Sequence, residues 1–225
     1  MPWRELANDY SIVNALREKA PDGYGLGGTA KFLTADDDLN NALTTGWYAW
    51  SWNAHPQNAP DNNWGKYGCS MYVFATAPGG YAIQTVYDLS DDITHGCAIQ
   101  RTIYVLSSGN IYYPWEWVNP PMQTGVEYRT TERFWGKPVY YKIVDCGQIA
   151  DNKQVEHGIM DMRDCIFCQG LRGAMPMPSI SNNDLSDPWS YYVADVNRIK
   201  ITLACGTTAA GGNCHVILKY TKTTD

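Results

Sequence analysis

The sequence of 225 residues has no apolar run near the ~18 residues a membrane helix needs, and the opening Met1-Pro2-Trp3-Arg4-Glu5 starts no hydrophobic secretory core. Membrane insertion and signal-directed export are therefore not expected, and synthesis in the cytoplasm without a signal peptide is. Cations are also scarce. Lys and Arg total 17 against 23 Asp and Glu, a net charge of −6, which disfavours the phosphate backbone of a nucleic acid as ligand. No G-x-S-x-G, H-E-x-x-H or G-x-x-x-x-G-K-[ST] signature occurs, so the commonest hydrolase, metalloprotease and nucleotide-binding chemistries have no foothold. The four histidines lie in separate segments, and His157, in Val155-Glu156-His157-Gly158-Ile159, reads as a hydrogen-bonded structural residue beside a turn glycine. No cofactor is implied.

Seven cysteines at irregular spacing read mainly as buried reduced thiols. Cys165-Ile166-Phe167-Cys168 has no second pair to complete four zinc ligands. In a regular strand, side chains three apart point to opposite faces, so joint chelation is not expected. Gly23-Tyr24-Gly25-Leu26-Gly27-Gly28 has the spacing of a dinucleotide fingerprint but follows a helix instead of a strand, which makes it a hinge. The run Asp36-Asp37-Asp38-Leu39-Asn40-Asn41 lacks the glycine and glutamate of a calcium loop and reads as an Asp-capped helical turn.

What the chain has in abundance is rings with a polar edge: 16 Tyr and 9 Trp against 4 Phe. Such rings serve surfaces as well as cores. Trp3, Leu6, Tyr10 and Val13 recur at spacings of three and four and predict an amphipathic helix over residues 3–20. So short a helix is marginal alone, and packs either on the following domain or on copies of itself as an oligomer stem. From Gly46 onward the pattern changes to short strands divided by turns, without βα alternation. Strands are predicted at Trp47–Trp52, Cys69–Ala75, Tyr81–Tyr87, Cys97–Leu106 and Ile111–Val118. After Asn119-Pro120-Pro121 further strands are predicted at Val126–Phe134, Pro138–Val144, Val155–Met162, Cys165–Leu171, Tyr191–Ala194, Ile199–Ala204 and His215–Thr221, with a turn at Trp135-Gly136-Lys137. The expected fold is mostly β: a stem helix over 1–22, then two antiparallel β domains over 23–121 and 122–225.

The segments Asp38-Leu39-Asn40, Thr45-Gly46-Trp47-Tyr48, Tyr81-Ala82-Ile83-Gln84-Thr85 and Trp115-Glu116-Trp117-Val118 resemble the pyocin-knob type repeat of bacteriophage and tailocin tail fibres. Downstream, Tyr128-Arg129-Thr130-Thr131-Glu132-Arg133, Gly136-Lys137-Pro138-Val139-Tyr140-Tyr141-Lys142, Val155-Glu156-His157-Gly158-Ile159 and Val216-Ile217-Leu218-Lys219-Tyr220-Thr221 resemble the carboxy-terminal head domain of tail fibres and receptor-binding proteins. The resemblance implies a knob followed by a β-sandwich-like head, and a non-enzymatic protein of the virion tail tip. It also implies a homotrimer that contacts other tail or baseplate proteins and a bacterial surface glycan or other envelope receptor. A polysaccharide depolymerase and a stand-alone carbohydrate-binding module are the competing readings.

Sugar pockets pair a ring face with hydrogen-bonding groups. Two stretches have that composition. One runs from Trp50-Ser51-Trp52-Asn53 to Trp64, and the other contains Asp187-Pro188-Trp189-Ser190-Tyr191-Tyr192. Trp50, Trp52, Trp64, Asp187, Trp189, Tyr191 and Tyr192 are the candidate ligand contacts, with core packing as the alternative role for the strand residues among them.

Overall fold

A computed structural model describes residues 30–51, 53–60, 68–76, 80–89, 95–173, 175–177, 191–205 and 212–225. The predicted stem residues Trp3, Leu6, Tyr10 and Val13 lie outside these. The chain divides into two compact units, Met1–Asn119 and Pro120–Asp225.

In the first unit, β1 (Lys31–Phe32), β2 (Gly46–Ser51), β3 (Gly68–Ala75), β4 (Tyr81–Asp88) and β5 (Ala98–Tyr104) lie side by side, followed by β6 (Ile111–Tyr112) and β7 (Glu116–Asn119), which both pair with β5. Only β1 and β2 run parallel. The period-two alternation of these strands buries one face. Tyr48 and Trp50, Cys69, Met71 and Val73, Val86, and Ile99 point inward, and Leu33, Leu39 and Ala42 cover them. Each fully buried aliphatic side chain of this kind contributes about 1.5–3 kcal/mol. The covering segment holds its shape through a 3-10 turn, Leu39–Asn41, capped as expected by Asp38: Oδ1 accepts from Asn40 N at 2.8 Å. The predicted strand Ile111–Val118 is broken in two. Pro114 has no N–H to give a ladder, and the chain resumes pairing at Glu116.

The second unit is a β-sandwich. One sheet has the order β8 (Glu127–Phe134), β9 (Lys137–Gln148), β15 (Asn213–Lys222), β11 (Met162–Arg172) and β12 (Met175–Met177). The other has β10 (Lys153–Glu156), β14 (Lys200–Cys205) and β13 (Tyr191–Val196). Their inner faces share one core, in which Tyr140, Val144, Met162, Val216, Leu218 and Tyr220 of the larger sheet meet Val193, Ile201 and Leu203 of the smaller. The predicted strand Val155–Met162 ends early because Gly158 (φ +61°) and Asp161 (φ +60°) turn the chain. Just before the turn stands His157, buried, its Nε2 3.0 Å from Asn197 O and its Nδ1 accepting from Ile159 N at 3.1 Å. It is the structural histidine the sequence suggests.

One expectation fails on a bulge. Cys165 stands opposite Tyr220 and Cys168 opposite Leu218, both inward residues of β15, and the register slips between Cys165 and Phe167. The extra residue puts side chains three apart on the same face. Both cysteines therefore pack on the core. Burial, then the neighbouring Cys165 and Cys214, push the Cys168 thiol up to about 12, so it stays protonated at neutral pH.

Candidate functional site

The face of the first unit opposite its core is also aromatic. Reading across the strands, Trp47 stands beside Tyr72, then Thr85, then Gln100; Ala49 beside Ser70, then Tyr87; Phe74 beside Ile83, then Thr102; and Tyr81 beside Tyr104. None of these positions is charged. The first row meets its charge at the edge, in Glu116 of β7. Trp47 lies 5.0 Å from Tyr72 and 6.4 Å from Tyr87 between ring centroids, tilted to both, and Tyr81 and Tyr104 stack at 4.6 Å. Trp47, Phe74, Tyr81 and Tyr87 are all more than a third exposed. Such cross-strand ring pairs hold a sheet together by about 0.5–1.5 kcal/mol beyond their buried area.

The result is a neutral platform of rings interspersed with hydroxyls. Thr85 Oγ1 reaches Gln100 Oε1 at 3.4 Å, and Thr45 Oγ1 ties the end of β3 through Ala75 N (3.0 Å) and Ala75 O (3.2 Å). This chemistry stacks on apolar C–H faces and offers hydrogen bonds at the margin, without a charge to act as acid or base.

The platform is held from behind by buried polar groups. Gln84, fully buried, donates from Nε2 to Leu39 O (2.6 Å) and Ala42 O (2.9 Å), and its Oε1 accepts from Arg101 Nε at 2.8 Å. These bonds pin the covering segment to β4 and β5. At the margin of that segment a cavity of about 240 Å³ is lined by Lys31, Asp36, Asp37, Asp38, Thr44 and Tyr48, among others. Two of its acids, Asp37 and Asp38, are engaged in the turn. Thr34 donates to Asp37 from both N (2.8 Å) and Oγ1 (2.9 Å), which holds the Asp37 carboxyl below its usual range. Among the described residues, no group of three or more His, Cys, Asp or Glu is arranged to hold a metal ion, and no helix is long and apolar enough to cross a membrane.

No family model matches the chain, and no curated protein matches it. Solved structures do match. Those neighbours are pyocin tail fibres. A carboxy-terminal segment of the R1 pyocin fibre of P. aeruginosa is 11% identical, with a TM-score of 0.32 over 87% of this chain and 68% of that one. An N-truncated R2-type pyocin tail fibre has the same identity and TM-score over 87% of this chain and 99% of its own. A carboxy-terminal segment of the R2 pyocin fibre of P. aeruginosa overlaps at 0.29, again 11% identical, over 83% of this chain and 65% of that one.

Of the residues singled out from sequence as ligand contacts, Trp50 is the one whose side chain is among the described residues. Trp50 is a correction: at 3% exposure it faces the core beside Tyr48, so its ring is not offered to a ligand. Trp52, Trp64, Asp187 and Trp189 lie outside the described residues. Tyr191 and Tyr192 open β13, with their side chains outside the described set. The residues the sequence reading missed are Trp47, Tyr72, Tyr81, Tyr87 and Tyr104. The alternation in Trp47-Tyr48-Ala49-Trp50 carried the signal, since inward Tyr48 and Trp50 put Trp47 on the opposite face.

Proposed function

We propose that this chain is a receptor-binding protein of the tail-fibre type. It attaches a virion or tailocin tail to a bacterial surface by holding saccharide against the platform of β2–β5, without turnover. The observation that carries the proposal is the platform itself: Trp47, Tyr72, Tyr81, Tyr87 and Tyr104 on one face of one sheet, with no charged residue among them. A soluble protein rarely leaves such a face open unless something binds it. A neutral sugar suits rings with hydroxyl edges better than an ionic ligand does. The sequence resemblance to tail-fibre knob and head segments points the same way.

Assembly as a homotrimer through residues 1–22 belongs to the proposal. Linked weak sites gain roughly 10²–10⁴ in avidity over one site, so shallow sugar contacts suffice. Light scattering on the full chain tests the assembly. Retention on intact bacterial cells and on a glycan array tests the site: Trp47→Ala and Tyr72→Ala should each weaken retention at least tenfold while thermal unfolding stays cooperative. Undiminished binding by both variants overturns the platform as the site. Release of reducing ends from surface polysaccharide would replace adhesion with depolymerisation.

A further inference from the structure

The rings on the outward face of β2–β5 fall into two groups. Trp47, Tyr72 and Tyr87 form one, with the indole 5.0 Å and 6.4 Å from the two phenols. Tyr81 and Tyr104, stacked at 4.6 Å and 16°, form the other. The ladder fixes how far apart the groups stand. Trp47 and Tyr72 share a row with Thr85, and Tyr81 precedes Thr85 by four residues on the same strand. At about 3.4 Å of rise per residue, the two rows lie roughly 14 Å apart along β4. One pyranose ring cannot touch both.

The row between them holds Phe74, Ile83 and Thr102. Phe74 is 52% exposed and Tyr81 49%, so the middle and the far end of this track both face solvent. Along it, rings with polar edges are interspersed with threonine and glutamine, and Thr85 Oγ1 already reaches Gln100 Oε1 at 3.4 Å. The track is therefore less apolar than the centre of a contact between identical subunits. It suits a ligand that alternates C–H faces with hydroxyls and repeats along its length. A chain that rests on both groups gains through the effective concentration of its second contact, a gain closed to a single sugar.

We infer that Tyr81 and Tyr104 form a second subsite of the platform, and that the ligand is a linear neutral polysaccharide held through two non-adjacent sugar units. One unit stacks on Trp47 and Tyr72, the other on Tyr81 with Tyr104. The inference rests on the platform being the saccharide site, and adds to it the length of chain that the site selects.

The test is calorimetry on the full chain with neutral, unbranched oligosaccharides of one to eight units. These are cut and size-fractionated from the surface polysaccharide of cells that retain the protein. Wild-type affinity should rise at least tenfold between the shortest members and those that span both ring groups, and then level off. Tyr81→Ala should abolish that rise and bind the shortest members as wild type does, which also shows that the variant is folded. Trp47→Ala should weaken binding at every length. Equal affinity for all lengths, or a rise that survives Tyr81→Ala, overturns the second subsite while the platform stands. Binding left unchanged by both Trp47→Ala and Tyr72→Ala overturns the platform and this inference with it. A smaller mass by light scattering for Tyr81→Ala, with glycan binding intact, would give these rings to contacts between copies and overturn the subsite.

Discussion

The guanidinium carbon of Arg101 lies 4.5 Å from the centroid of the Trp115 ring, at a residue only 6% exposed. Its Nε serves Gln84, whereas its Nη2 is buried without a hydrogen-bond partner. Burial pulls its pKa down to about 10, against the opposing influence of Asp38 and Tyr112. The side chain is thus useful as a strut and costly as a buried charge. Arg101→Ala should lose about 2–4 kcal/mol, since it orphans Gln84 Oε1 and removes the support under Trp115. Arg101→Met fills the space, keeps a sulfur–ring contact and abolishes the unpaired donor, so it should lose distinctly less. Urea unfolding of the two variants separates them, and equal losses would show that volume does not decide the matter.

At Gly170 there is no room for a side chain between its strand neighbour Met177 and Val193 of the facing sheet. A Cβ there would stand 3.0 Å from Met177 Cβ and Sδ and 3.0 Å from Val193 Cγ2. Met177 has little room to yield, because its Sδ already lies 3.3 Å from Cys214 Sγ. Gly170→Ala should therefore cost about 1–3 kcal/mol through overpacking, and Val193→Ala should recover part of it in the double variant. Gly173→Ala meets nothing within 4 Å and has only its φ of +57° to pay for, so a loss near 1 kcal/mol is expected. Thermal unfolding that ranks Gly173→Ala as the more damaging would contradict the packing argument.

Asp38 joins three segments of the first unit. Besides capping the 3-10 turn, its Oδ1 accepts from Asn58 Nδ2 at 2.8 Å, and Asn58 O accepts from Trp115 Nε1 at 3.3 Å. Asp38→Ala should lose about 1–2 kcal/mol, in the range of a lost cap, whereas Asp38→Asn keeps an acceptor oxygen and should lose under half of that. Hydrogen exchange at the Asn40 amide gives a local readout, and unchanged protection there in Asp38→Ala would remove the cap from the account.

Much of the strand content was legible because Cys69, Met71 and Val73, or Val216, Leu218 and Tyr220, alternate cleanly with less buried neighbours. The turn at Trp135-Gly136 and the capped turn at Asp38 carried their own chemistry. The outward aromatic face was not legible, for a physical reason. Trp47 and Tyr72 are as apolar as Tyr48 and Met71, so hydrophobicity cannot say which ring is inside; the register and the covering segment from Leu33 to Ala42 decide it. Trp50 was misplaced for the same reason. The bulge at Cys165–Cys168 has no composition signal at all, and β1 and β12, of two and three residues, are too short to show a period.

Alkaline pH should unfold this protein sooner than neutral pH, and the sign follows from which state binds protons. Burial raises the Cys168 thiol from 9.0 to about 12, and burial with a bond to Asp225 raises Tyr140 from 10.0 to about 12. Burial also pushes up Cys69, with Asp88 adding to it, and Tyr220, with Glu127 adding to it. Each group has a folded pKa above its unfolded one, so its contribution is complete below the unfolded value and is lost as pH climbs toward the folded value. Above about pH 9 the unfolded chain holds fewer protons, and stability falls by up to about 1.4 kcal/mol per pH unit for each group. Arg101 runs the other way, because its folded pKa of about 10 lies below 12.5 and its charged form is the costly one. Its relief begins only near pH 10, after the thiols have started to titrate in the unfolded state. Urea unfolding should show a flat midpoint from pH 6 to 8 and a steady decline from 9 to 11, with Cys69→Ala declining less steeply. A midpoint that stays level to pH 11 would mean that these thiols and phenols are not held protonated by the fold.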